Sequence, residues 1–173
     1  MLNKKSVFTF TTLVLVILIL LLCLPTKKVL LIYNRKNPGE YYLVNTHKLN
    51  GFEISYTHSV NKGRVHDFYT LEPDNTLLLD KTRFVSYGAG IPEPEETPGA
   101  EFIVTEDGYY ITKLNRHVNK LTMAVGLIAN HAISFSYSDS SREFELKNLF
   151  KPQTSIILEI KRTSLLKYIF HKL

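Results

Sequence analysis

Two side chains that could do acid–base chemistry stand nine residues apart in the stretch "YTHSVNKGRVHDFY" (56–69): His58 and Asp67. Read as extended chain, Phe52, Ile54, Tyr56 and His58 share one face, and Val65, Asp67, Tyr69 and Leu71 share another. A two-residue turn at Lys62-Gly63 sets His58 opposite Asp67, within hydrogen-bonding reach across the hairpin. A three-residue turn, with Gly63 left-handed, sets His58 against His66 instead. In the first register the pair is either a half-buried ion contact that locks the hairpin, or a histidine acid/base oriented by a carboxylate. The structural role is the stronger expectation. Ser59, the adjacent hydroxyl, falls on the opposite face of an extended strand, and no Gly-x-Ser-x-Gly elbow occurs. The histidines lack ligand-like spacing, and the single cysteine, Cys23, lies in an apolar run; no metal or other cofactor is expected.

A second constellation is "SYGAGIP" (86–92). Gly88 and Gly90 permit positive φ or close backbone approach, and such a loop can present free N–H groups to an anion. Gly-Ala-Gly is also an ordinary tight corner between Tyr87 and Ile91. No helix follows it, which excludes a dinucleotide fingerprint.

These residues need a scaffold, and the rest of the chain supplies a β-rich one. Short alternating runs occupy 28–33, 41–46, 51–58, 64–71, 76–80, 83–87, 101–106, 109–114, 120–126, 132–138 and 155–161, separated by Asn-Pro-Gly, Asn-Gly, Lys-Gly and Asp-Gly signals. The spacing predicts an all-β fold, an antiparallel β-sandwich or barrel-like domain over residues 27–161. Residues 89–101 carry three prolines and four glutamates and read as an exposed, semi-rigid loop. In residues 162–173, Leu165, Leu166, Ile169, Phe170 and Leu173 fall on one helical side. This short amphipathic helix lies on a membrane or partner, or packs on its own sheet.

Ahead of the domain, residues 7–24 carry no charge and sit between Lys4-Lys5 and Lys27-Lys28. Eighteen residues at ~1.5 Å each span ~27 Å, close to a hydrocarbon core. No small-residue cleavage site follows, and Leu22 precedes Cys23 where a lipoprotein signal needs a small residue. The expectation is one transmembrane anchor, a short cytoplasmic tail over residues 1–6, and the β-domain outside the cytoplasm. The net charge of +5 over 173 residues becomes +3 without Lys4 and Lys5, spread rather than clustered. That pattern argues against nucleic acid and suits a surface near lipid headgroups.

The two constellations together resemble the bacterial domain of unknown function 1850 family. His58-Ser59-Val60 ends a strand, Asp67 and Tyr69 follow, then Gly88-Ala89-Gly90 with Pro92; Asp107-Gly108-Tyr109-Tyr110 resembles a further step. Relatives usually carry glutamate where this chain has Asp67. The resemblance implies a protein without an established activity, often encoded beside TRAP-type transporters of the TAXI class, which take up organic acids through an extracytoplasmic binding protein. The leading expectation is therefore a non-enzymatic, membrane-anchored accessory protein that docks the permease or the solute-binding protein. The rival is an extracytoplasmic enzyme or small-anion binder centred on His58, Asp67 and the Gly88–Gly90 loop.

Overall fold

The computed structural model describes residues 4–173, so part of the tail expected over 1–6 lies outside the described residues. In chain order the elements are helix α1 (Lys4–Cys23), strands β1 (Lys27–Asn34), β2 (Tyr41–Asn45), β3 (Leu49–Thr57), β4 (Arg64–Leu71) and β5 (Leu77–Phe84). Then come β6 (Glu101–Thr105), β7 (Gly108–Thr112), β8 (Arg116–Val118), β9 (Leu121–Ala124), β10 (Ala132–Tyr137) and β11 (Ser141–Glu145). Helix α2 (Leu146–Leu149), strand β12 (Ser155–Thr163) and helix α3 (Leu165–His171) complete the chain.

The strands form two antiparallel sheets, as the alternation requires. The smaller has the order β2-β1-β12-β9; the larger runs β11-β10-β3-β4-β5-β7-β6, with β8 on the remaining half of β5. Leu30, Ile32, Ile156 and Leu158 from the small sheet are fully buried and meet Phe52, Ile54, Ile133 and Phe135 from the large one. Burial of each such side chain stabilises by about 1.5–3 kcal/mol. Leu146 and Phe150, on and just after α2, close one end of this core.

The large sheet is wider than its partner. Beyond the small sheet's reach, β4, β5 and β7 bury Val65, Phe84, Tyr109 and Ile111 under the 85–100 segment instead, with Ile91 as the plug. A bulge between Phe68 and Tyr69 shifts the β4–β5 register. Residues 76–80 and 83–87 were expected as separate strands; residues 77–84 form one, because the polar step Asp80-Lys81-Thr82 is carried through this bulge. β8, β11 and α2 lie where no element was expected.

α1 forms over the apolar run, with the large side chains from Val7 to Leu24 exposed along it. A helix forms over the span expected at 7–24, but among the described residues no helix is long and apolar enough to cross a membrane. α3 touches α1 and packs on β2, where His171 stacks on Tyr41 at 4.2 Å and Leu173 N donates to Leu43 O. Its apolar side is not covered: Leu166, Ile169 and Phe170 stay 42%, 54% and 75% exposed.

Candidate functional site

The hairpin between β3 and β4 pairs Ile54 with Asp67, Ser55 with His66 and Tyr56 with Val65. His58 lies beyond the strand end, where its N–H donates to Gly63 O at 2.8 Å. The expected contact between His58 and Asp67 is therefore absent, and so is the alternative opposition of His58 and His66. Asp67 is four pairs further along, ~13 Å at ~3.3 Å per residue. The cause is the loop. Six residues, His58 to Gly63, connect the strands, and Lys62 rather than Gly63 takes positive φ (61°). Asn61 Oδ1 accepts from Gly63 N at 2.8 Å, an Asx turn that replaces the two-residue turn.

His58 serves this loop. Its Nδ1 accepts from the backbone N–H groups of Val60 (3.3 Å) and Asn61 (3.4 Å). Those donors fix the tautomer, leaving the ring proton on Nε2. The other side of the ring lies on Gly90. A Cβ on Gly90 would stand 2.6 Å from His58 Cε1, and φ is +86° there, so glycine is required on both counts. Asn61 Nδ2 adds a long bond (3.4 Å) to Ser86 O. His-Ser-Val and Gly-Ala-Gly are thus two halves of one clamp. Ser59 and Val60 are exposed at its tip.

The clamp sets the path of the following residues. Ile91 N donates to Gly88 O at 3.2 Å, Ile91 enters the second core cluster, and Pro92 roofs a cavity of about 200 Å³. Asp67, Tyr56, Thr82, Thr97 and Arg116 contribute polar groups to its lining. Asp67 Oδ1 accepts from Thr82 Oγ1 at 2.8 Å. Burial pushes the Asp67 carboxyl above the usual aspartate range; the Thr82 hydroxyl and the charges of His66 and Arg116 oppose this without cancelling it. Burial and then the Asp67 charge push the Tyr56 phenol up to about 12, and the same two causes raise Tyr69. Tyr69 stacks on Phe52 with centroids 5.0 Å apart.

His58 does not line this cavity. It faces a separate groove with the exposed Leu127 and Ile128. His66 lies on the outer face of the sheet, with Nδ1 2.5 Å from Glu53 Oε1. Among the described residues no group of three or more His, Cys, Asp or Glu could hold a metal ion. The arrangement can donate or accept a hydrogen bond at Asp67 and Tyr56; the hydroxyl beside Asp67 is that of Thr82, and neither His58 nor any serine or cysteine lines the cavity. The 89–101 loop contains a single 3-10 turn, Pro94–Glu96, braced where Glu93 N donates to Glu96 Oε2 and where Tyr87 Oη donates to Glu93 Oε1 at 2.6 Å. Its glutamates remain exposed. Tyr56, Thr82, Thr97 and Arg116 were not foreseen as site residues; Tyr56 shares the phase of Ile54, and Thr82 is the cross-strand neighbour of Asp67.

A family model described as a domain of unknown function (DUF1850) matches residues 52–141, just over half of the chain. That span holds the clamp, Asp67 and the cavity roof. No curated protein and no solved structure matches.

Proposed function

This chain belongs to the domain of unknown function 1850 family, and on that premise we propose that it is a non-enzymatic, membrane-anchored accessory protein working outside the cytoplasm beside a TRAP-type transporter of the TAXI class. The observation that carries the anchor is α1: large apolar side chains are exposed along a 20-residue helix that leads directly into β1. Its charge-free part from residue 7 to residue 23 is ~26 Å long. The shortfall against a ~30 Å core costs only a fraction of a kcal/mol per Å, and flanking lysines that reach for the headgroups offset it.

The accessory role is supported by what His58 and Gly90 do. Their contact holds a loop in place, and the His58 Nδ1 that a catalytic base would use is engaged by its own backbone. That loop carries the exposed 89–101 segment, whose rigid acidic surface is the docking element for the permease or the solute-binding protein. The test is crosslinking in intact membranes followed by affinity purification of the full chain. Recovery of a transport component is expected; recovery of none counts against the proposal.

A second reading rests on the cavity. Asp67, Tyr56 and Arg116 converge on a space fit for a small ligand, which makes a binding protein the main rival. A thermal shift with small organic anions, lost in Arg116→Ala, would favour it.

A further inference from the structure

The basic residues of the small sheet are not spread along it. The β1–β12 register pairs Lys27 with Thr163, Lys28 with Arg162 and Val29 with Lys161, which gathers four cations at the end where α1 joins β1. β12 leaves the sheet at this same end and passes through Ser164 into α3. Ser164 caps that helix by accepting from Lys167 N at 3.2 Å. α3 adds Lys167 and Lys172, and Lys27 Nζ sits 4.4 Å over the Tyr168 ring.

Two features of this end lack an occupant within the fold. One is the apolar side of α3, where Leu165, Leu166, Ile169 and Phe170 are exposed beside the equally apolar α1. The other is a cleft of about 250 Å³ between α3 and the outer face of the small sheet. Its floor is Val29, Leu31 and Leu43, and Lys161 and Lys167 supply its cations; Arg162, which pairs with Lys28, borders it with its side chain on the opposite face from Lys161. The carboxylate on the Lys161 face of β12 is Glu159, which Lys161 contacts at 2.9 Å and Lys120 at 3.2 Å. Arg162 also donates to Thr26 O at 3.2 Å. Glu159 is thus shared between two lysines, and Lys167 makes no ion pair among the described residues.

We propose that α3 is a second membrane contact: it lies in the headgroup layer of the leaflet from which α1 emerges, with the phosphate of an anionic phospholipid in the cleft between Lys161 and Lys167. This rests on the anchor reading. The occupant is set by continuity and charge. An apolar strip adjoining a membrane helix and bordered by cations matches the boundary between acyl chains and anionic headgroups. The consequence is orientation. With two contacts the domain cannot swivel about α1, and β3, which starts at this end, carries the His58 loop to the far end.

The test uses the full chain in lipid nanodiscs, with Cys23→Ser and then an environment-sensitive dye on Phe170→Cys or, as a second position, Ile169→Cys. The control dye sits on Val60→Cys, 60% exposed in the His58 loop. Expected are blue-shifted emission at 170 and 169 but not at 60, and quenching by headgroup-labelled lipid stronger than by lipid labelled deep in the chain, as for burial of about 5–10 Å. Quenching by labelled phosphatidylglycerol should exceed that by labelled phosphatidylcholine. Lys167→Gln should reduce that preference by about 5-fold. A chain retained in the discs with 170 as water-exposed as 60 overturns this inference alone. So does a blue shift without lipid quenching, which would mark a second copy or another protein on the strip. A chain that is not retained overturns the anchor reading and this inference together.

Discussion

Gly90→Ala is the sharpest perturbation of the clamp. The new Cβ would stand 2.6 Å from His58 Cε1 and 3.2 Å from Nε2, at a φ of +86°. A left-handed conformation costs a non-glycine residue about 1–2 kcal/mol. The imidazole must also move, and the two long bonds at Nδ1 are worth about 1 kcal/mol together, at the low end for such contacts. The expected loss is about 2–3 kcal/mol, or roughly 5–10 °C in Tm for a domain of this size. Urea denaturation of the full chain in detergent, followed by the circular dichroism of its strands, measures this. His58→Ala alone should cost about 1 kcal/mol. In the double variant the clash is gone and only the backbone strain and lost cap remain, so the two losses should fall short of additive by about 0.5–1 kcal/mol. Gly90→Ala at wild-type stability, or strict additivity, would refute the clamp.

Two further predictions concern Asp67. Its carboxyl is raised in the folded state, with burial the first cause, so folding takes up a proton between the unfolded value near ~3.9 and the folded one. Stability then falls as pH rises through that window. Asp67→Asn, which keeps an acceptor for Thr82, should be at least as stable as wild type at pH 7 and lose that advantage below about pH 4; denaturation midpoints across pH read this out. Thr82→Val removes the hydroxyl bonded to Asp67 Oδ1 at 2.8 Å and should cost about 1–3 kcal/mol at pH 7 by leaving a half-buried carboxylate without its donor. In the Asp67→Asn background that cost should shrink, and a cycle of the four proteins checks it.

The all-β class was readable because its signal is local: period-2 alternation and turn residues mark most strands regardless of their partners. The faces were readable too. Phe52, Ile54, Tyr56, Val65, Asp67 and Tyr69 do share the inner side, since the observed pairing differs from the expected one by an even number of residues. The register itself was not. It depends on Lys62 adopting positive φ and on Asn61 and His58 bonding backbone groups two and three residues away, competitors that outweigh the ordinary preference for glycine in a turn. Strand β11 showed no alternation because, at the sheet edge, its residues are nearly all exposed. The cavity was hidden for another reason. Asp67 and Thr82 become neighbours only when β5 runs unbroken past Asp80, and Arg116 reaches the site from the short β8, whose three residues carry no pattern. The link between His58 and Gly90 is a packing contact between two loops, legible as paired motifs but not as geometry.

The proposed contact is that of the 89–101 loop of a membrane-held domain with a transport component. Its most direct measurement places a photo-crosslinking residue at Glu95, exposed in that loop, and a control at Glu143 on the far edge of the large sheet, in cells carrying the full chain. A crosslinked membrane species is expected from Glu95, identified by mass spectrometry as a transporter permease or its solute-binding protein, and none from Glu143. Equal labelling from both positions, or a Glu95 product containing no transport protein, would contradict it.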